Sequence, residues 1–274
     1  IEAFERQGTD IKNATHQEMR SLVCAQCHVE YYFKGKTEKY LTFPWDKGFT
    51  VEDIEKYYDE NEHVDFVNSL SKTPVIKAQH PDFELFRMGI HYERGLSCAE
   101  CHMPYKSEGG VKFTDHKIQS PLNNIANSCQ VCHRESEDKL RQNVNDRQDK
   151  VLELSDLATK TLVKAHIEAK TAWENGATEE QMKPILKLIR HAQWRWDFVS
   201  ASVGGSFHAP LESARILGTS IQKSEEARVL LTNLLVSLGV KVPIQMPDVS
   251  TKEKAQAYIG LDMKKLREEK AAFL

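Results

Sequence analysis

The sequence predicts a mainly α chain. Short helices and loops occupy residues 1–135, long packed helices occupy residues 136–274, and the second part docks on the first as one domain. Three observations carry this prediction. All six cysteines fall in the first part. No apolar run there alternates long enough to make a confident strand. From residue 136 onward, apolar residues recur with the period of an amphipathic helix.

The composition allows this and excludes much else. A chain of 274 residues that is 40% hydrophobic is long enough for one or two domains with a sizeable core. With 37 Lys+Arg against 40 Asp+Glu, the formal charge is -3, which lacks the basic excess that nucleic-acid binding uses. No run approaches the roughly 18 apolar residues of a membrane span. The 13 glycines and 9 prolines are too few for a low-complexity chain.

In residues 1–135, Phe43-Pro44-Trp45, Thr73-Pro74, His80-Pro81 and Gly109-Gly110 interrupt every apolar run. Beyond them, Leu140, Val144, Val151, Leu154, Ala158, Ala165, Ala169 and Ala172 predict one long amphipathic helix. Asn175-Gly176 ends it, as residues tolerant of left-handed backbone do. Thr178-Glu-Glu-Gln181 then reads as a capping box for a second helix, which runs to Gly204-Gly205. Pro184 predicts a kink or a late start in that helix. A third helix is expected over about 211–238 with Gly239 as terminator, followed by an extended Pro-containing stretch and a Lys/Glu-rich helix. The alanine-rich seams suit close helix packing within one chain or between two subunits, and the pattern leaves both open.

The cysteines form three copies of one pattern: Cys24-Ala-Gln-Cys27-His28, Cys98-Ala-Glu-Cys101-His102 and Cys129-Gln-Val-Cys132-His133. A disulfide framework has no reason to space every pair by two and follow it with histidine. Zinc would have to divide six thiolates and three histidines among several ions. Cys-x-x-Cys-His is the attachment signature of c-type haem, with two thioethers and a proximal histidine ligand. The fold class therefore becomes that of a multihaem cytochrome c, in which porphyrin faces replace side-chain core. Such attachment takes place outside the bacterial cytoplasm, so a periplasmic location and a secretory leader on the precursor are expected. The chain begins at Ile1 without Met or an apolar leader, and is read as part of a longer protein.

Beyond the three motif histidines stand His16, His63, His80, His91, His116, His166, His191 and His208. Low-spin electron-transfer haem takes a second strong axial ligand, commonly His or Met. His91 lies shortly before Cys98, His116 shortly before Cys129, and His208 follows Gly204-Gly205, where a loop would set it at the mouth of a helix. Sequence position alone does not pair them with irons. His63, in an acidic stretch, reads as solvated, and His166 and His191, on charged helices, read as structural.

Several segments resemble the pentahaem ammonia-forming cytochrome c nitrite reductases, in that family's order and over nearly the whole chain. They are Cys24-Ala-Gln-Cys27-His28-Val-Glu30-Tyr31-Tyr32-Phe33, Ser71-Lys-Thr-Pro-Val-Ile-Lys77-Ala-Gln79-His80-Pro81, Cys101-His102-Met-Pro, Thr114-Asp-His116-Lys, Arg190-His-Ala-Gln-Trp-Arg-Trp-Asp197 and His208-Ala-Pro. The resemblance implies that the three motifs are the family's third, fourth and fifth haem sites, out of five covalent haems in the full protein. It makes His91 the distal ligand of the haem on Cys129 and Cys132, and His208 that of the haem on Cys98 and Cys101. His116 would reach an iron whose own motif is absent here. The family's catalytic Cys-x-x-Cys-Lys motif does not occur in this chain, so the chain is read as about the C-terminal two thirds, inactive alone.

The resemblance also implies a calcium ion held by Glu30, Tyr31, Lys77 and Gln79, with Tyr31 and Lys77 offering backbone carbonyls. That donor set suits a hard cation. His80 and Tyr31 would be the catalytic residues lining the pocket for nitrite, since histidine exchanges protons near neutrality and a tyrosine hydroxyl can donate a hydrogen bond. The implied partners are nitrite, a quinol-linked periplasmic or membrane-anchored electron donor, and a second copy in a homodimer. An electron-transfer cytochrome with no substrate of its own, and a related enzyme acting on hydroxylamine or sulfur oxyanions, are the competing readings. The first leaves Glu30, Lys77, Gln79 and His80 unexplained.

Overall fold

A computed structural model describes residues 5, 8, 10–35 and 37–273; the chain ends Ile1 and Leu274 lie outside them. The described chain is mainly helical, as expected. Its helices in order are α1 (His16–Leu22), α2 (Val51–Glu60), α3 (Asp82–Arg87), α4 (Ile90–Glu93), α5 (Cys98–His102), α6 (Ile125–Ser128), α7 (Glu137–Glu174), α8 (Glu179–Ala201), α9 (Gly205–His208), α10 (Pro210–Ser237), α11 (Lys252–Tyr258) and α12 (Met263–Phe273). Among the described residues, no helix is long and apolar enough to cross a membrane.

The first part also contains strands that the sequence does not announce. Three antiparallel pairs form: β1 (Tyr32–Lys34) with β2 (Tyr40–Thr42), β3 (Phe66–Val67) with β4 (Pro74–Val75), and β5 (Tyr105–Glu108) with β6 (Val111–Thr114). Each strand has two to four residues, too short for a period of two to declare itself. They are clasps between loops. Capping boxes at Thr15 with Glu18 and at Thr50 with Asp53 start α1 and α2 by satisfying amides that no helix carbonyl reaches.

The second part follows the sequence closely. α7 begins behind the Ser136 cap and ends at Asn175, with Gly176 at φ +87, where a Cβ would be strained. Along it Ala158, Ala165, Ala169 and Ala172 are fully buried, and such small side chains let helix axes approach closely. α8 starts from the Thr178–Gln181 capping box and continues from Glu179 past Pro184 without interruption. No late start occurs, and the proline sits in the second turn at an exposed position. The lost bond frees only the exposed Glu180 carbonyl to water. α10 opens with Pro210 at its first turn, where no amide is needed.

Two apolar clusters hold these parts together. One lies among α7, α8 and α10, with Leu162, Met182, Ile185, Ile189, Leu231 and Leu235. The other joins the bundle to the first part through Trp45, Ile54, Tyr58, Leu85, Trp194, Phe198, Ile216 and Leu217. At about 1.5–3 kcal/mol for each large side chain buried, the second cluster anchors the loops that carry the motifs onto a rigid support.

Candidate haem and cation centre

Each cysteine motif closes into one helical turn. His28 N–H donates to the Cys24 carbonyl at 3.0 Å, and His133 N–H to that of Cys129 at 2.9 Å, while the middle motif is α5 itself. Such a turn puts two thiols and the following imidazole on one side of the backbone. None of the six cysteines is in a disulfide. The motifs also adjoin one another. A hydrogen bond from the Cys98 thiol draws Cys24 down to about 7, and burial pushes Cys101 up to about 12, with Cys129 and Cys132 adding to the rise.

The histidines sort into pairs. The rings of His91 and His133 have centres 6.3 Å apart at 72°, and those of His102 and His208 are 6.2 Å apart at 77°. An ion held between two imidazole nitrogens at about 2 Å each would set ring centres roughly 6.4 Å apart, each centre lying about 1.2 Å behind its nitrogen. Both pairs meet that spacing, so these residues fit haem iron. Burial draws His208 down to about 4 and lowers His91 as well, which keeps both rings neutral, as metal ligands must be. His102 turns Nδ1 to the Gln119 carbonyl at 3.0 Å, the orienting bond that leaves Nε2 for a metal. His116, by contrast, is exposed at the end of β6.

The neighbourhood of His208 rests on residues whose role sequence reasoning misses. Gly204 and Gly205 end no helix, since α8 stops at Ala201. A Cβ on Gly204 would stand 2.6 Å from Nδ1 of His208, and one on Gly205 would stand 2.8 Å from a Leu85 methyl. Gly89 lies against the His208 carbonyl. His208 itself sits in the one-turn helix α9 and not in a loop. The tandem glycines were the available signal, but of close approach.

His80 lies in a second cluster. Its ring is 4.6 Å from that of His28 at 73°, too close for the two to sit on opposite sides of one ion, although His28, His80 and Asp82 together lie near enough to share one. Its Nδ1 is 2.9 Å from Asp82 Oδ2. Asp82, also missed, is buried at the start of α3 and accepts from Ser202 Oγ at 2.6 Å and from Gly204 N–H at 3.0 Å. Its other oxygen lies 3.9 Å from Nδ1 of His208. One carboxylate thus faces both His80 and a paired histidine.

Glu30 is fully buried. Its carboxylate accepts from Gln79 N–H at 2.7 Å and from Tyr58 Oη at 2.9 Å. Burial pushes it well above the ordinary carboxylate range; the two hydrogen bonds oppose this, and the like charges of Glu84 and Asp65 add to it. Glu84 accepts from Glu30 N–H at 2.9 Å and Trp45 Nε1 at 2.7 Å, and burial pushes it up to about 7. The Gln79 side-chain amide meets the Lys77 carbonyl at 3.5 Å. The Glu30 carboxylate, the Gln79 amide and the Lys77 carbonyl are thus neighbours; the amide turns its nitrogen to that carbonyl, and rotated by half a turn it would offer its oxygen beside a carboxylate and a carbonyl, the donor set a hard cation takes. Tyr31 follows Glu30 half-buried, its ring edge-on to Phe33 at 5.9 Å.

His63, His166 and His191 are held by the protein. His166 is buried between Ser71 Oγ at 2.8 Å and Gln193 Oε1 at 3.3 Å, and His191 bonds Asp59 at 2.7 Å, both structural as expected. His63 departs from expectation. It stacks on Tyr58 with centres 4.9 Å apart, because the Arg190 guanidinium holds its carbonyl at 2.8 Å and turns the acidic loop inward.

The family model for cytochrome c552 matches residues 1–274. The chain belongs to the cytochrome c552 family. A cytochrome c-552 from Parabacteroides distasonis is 63% identical over 274 residues, covering all of this chain and 55% of the relative. The cytochrome c-552 of Bacteroides thetaiotaomicron matches with the same identity and coverage. This member of the family therefore spans about half the length of the curated relatives it matches, less than the two thirds expected. Among solved structures, the cytochrome c nitrite reductase of Desulfovibrio desulfuricans, whose catalytic subunit has two calcium sites, superposes with a TM-score of 0.77 at 33% identity. That match covers 97% of this chain and 56% of the other. The family, the mainly helical multihaem fold and the resemblance drawn from sequence agree.

Proposed function

We propose that the protein of which this chain forms part reduces nitrite to ammonium, taking up six electrons and eight protons and releasing two waters. The observation that carries this reading is the meeting of His80, Asp82 and the Glu30–Lys77–Gln79 corner beside the first haem motif. An electron carrier has no use for a buried carboxylate corner next to a proton-exchanging imidazole.

Bound haem would supply one-electron transfer and, at a motif upstream of this chain, the iron that binds nitrite. Cys24, Cys27, Cys98, Cys101, Cys129 and Cys132 would tether three of five porphyrins. His91 with His133, and His102 with His208, would be the axial pairs of a relay, and His28 and His116 would serve irons partnered upstream. His80 would hydrogen-bond a nitrite oxygen and pass protons, beside the Asp82 carboxylate, whose Oδ2 lies 2.9 Å from Nδ1 without hydrogen-bond alignment. Tyr31 would orient the substrate through its hydroxyl. Glu30, Gln79 and the carbonyls of Tyr31 and Lys77 would hold calcium, whose charge favours an anion nearby.

The resemblance further supports a periplasmic location, a quinol-linked donor and a homodimer along the long helices, where Leu152, Leu157, Val229 and Val236 are exposed. The 274 residues alone would lack turnover. The test is ammonium formation by the full-length haem-loaded protein with a low-potential dye as donor. A His80→Asn variant is expected to keep the haem spectrum and lose most turnover. Undiminished turnover would remove His80 from the mechanism, and no ammonium from wild type would leave only electron transfer.

A further inference from the structure

The cation corner stands on three successive backbone amides, each held by a carboxylate from a different part of the chain. Lys77 N–H donates to Asp65 Oδ2 at 2.8 Å, Ala78 N–H to Asp197 Oδ2 at 2.9 Å, and Gln79 N–H to Glu30 Oε2 at 2.7 Å. Bonds to ionised acceptors are the strong ones among amide hydrogen bonds. The middle bond has a particular consequence. A trans peptide is a rigid plane, so the Ala78 amide and the Lys77 carbonyl are opposite edges of one plate. Whatever fixes that N–H also fixes the direction of that oxygen.

Asp197 comes from the last turns of α8, 119 residues away in sequence. Seven residues earlier on α8, Arg190 Nη1 donates to the Pro74 carbonyl at 2.9 Å. Seven residues of helix advance about 10.5 Å, and the three residues between the Pro74 carbonyl and the Ala78 amide, of which β4 includes Val75, span at most roughly 10 Å when extended. The two anchors on the helix are thus within reach of the segment they hold. Arg190 is itself fixed by Asp59 at 2.9 Å and by the His63 carbonyl, so the anchor at the Pro74 end is rigid.

We propose that Asp197 is a positioning residue of the cation pocket, aiming the Lys77 carbonyl through the shared peptide plane. This rests on the reading of Glu30, Lys77 and Gln79 as calcium ligands. It makes the long-helix region part of the pocket's construction, and α8 the ruler along which the segment from Pro74 to Ala78 is laid.

The test is calcium binding by the full-length haem-loaded protein, measured by equilibrium dialysis after chelator treatment, for wild type, Asp197→Asn and Asp197→Ala. The Asn side chain keeps an oxygen that can accept the Ala78 N–H, and its calcium affinity is expected within about threefold of wild type. The Ala side chain leaves that amide unheld, and its affinity is expected to fall about tenfold or more, the usual scale for an orienting group behind a ligand. Haem absorbance and the unfolding midpoint in chelator should match wild type in both. Wild-type affinity in the Ala variant would overturn the assignment. Equal losses in both variants would mean that charge acts and not the hydrogen bond, and would overturn it too. So would a loss of stability in chelator that accounts for the weaker binding. Absence of calcium from wild type would instead sink the pocket itself.

Discussion

Replacing Gly204 by alanine should cost one haem its distal ligand. The added carbon would meet Cε1 of the His208 ring most closely and stand 2.6 Å from its Nδ1, where ordinary contact begins near 3.5 Å, so the ring must retreat by more than about 0.9 Å. Nearby atoms give it little room. Gly89 lies against the His208 carbonyl, Phe86 stands edge-on to its ring at 5.6 Å, and Asp82 is 3.9 Å from Nδ1. A metal site tolerates about 0.2 Å in ligand distance, several times less than the shift required. Overpacking of this kind costs about 1–3 kcal/mol, too little to unfold a domain of this size. The variant should therefore fold, retain all three thioether attachments and show one haem converted from low spin to high spin. Electron paramagnetic resonance of the full-length oxidised protein measures this. An unaltered set of low-spin signals would refute the placement of His208 against Gly204 or its role as a ligand.

His208→Ala should give the same single high-spin haem, and His91→Ala a different one. Identical spectra from the two would break the pairing with His102 and His133. Burial holds His166 down to about 4, below its unfolded value near 6.5, so the folded state takes up its proton later than the unfolded one. Its contribution to stability is complete above about pH 6.5 and is lost as pH falls toward 4. The loss is on the order of 3 kcal/mol, and urea titrations across that window should show His166→Gln losing less stability than wild type. Arg190→Lys removes the fork that reaches Asp59, Pro74 and His63 together. A destabilisation of about 2–4 kcal/mol is expected for a half-broken buried network, read as a lower unfolding midpoint.

The long helices were legible because their signals are local. The seam from Leu140 to Ala172 and the punctuation at Gly176, Thr178 and Gly239 each act within a few residues, and each lands where the structure has it. The three Cys-x-x-Cys-His motifs stand out in the sequence because haem attachment demands two thiols and an imidazole within five residues. The three strand pairs were not legible, being too short for periodicity. Nor were the supports of the site. Asp82, Asp197, Asp65 and Glu84 act on groups distant in sequence or on backbone amides, and nothing in their own neighbourhoods marks them. Gly204 illustrates the limit well. Its type was noticed, but a glycine that ends a helix and one that makes room for an imidazole look alike until the fold brings His208 over it.

The three turns at Cys24, Cys98 and Cys129 are each expected to carry a porphyrin bound through thioethers. Intact-mass spectrometry of this polypeptide, produced in a cell competent in cytochrome maturation, tests this attachment most directly. Three additions of a haem's mass that survive denaturation are expected. A polypeptide at its unmodified mass would contradict the claim.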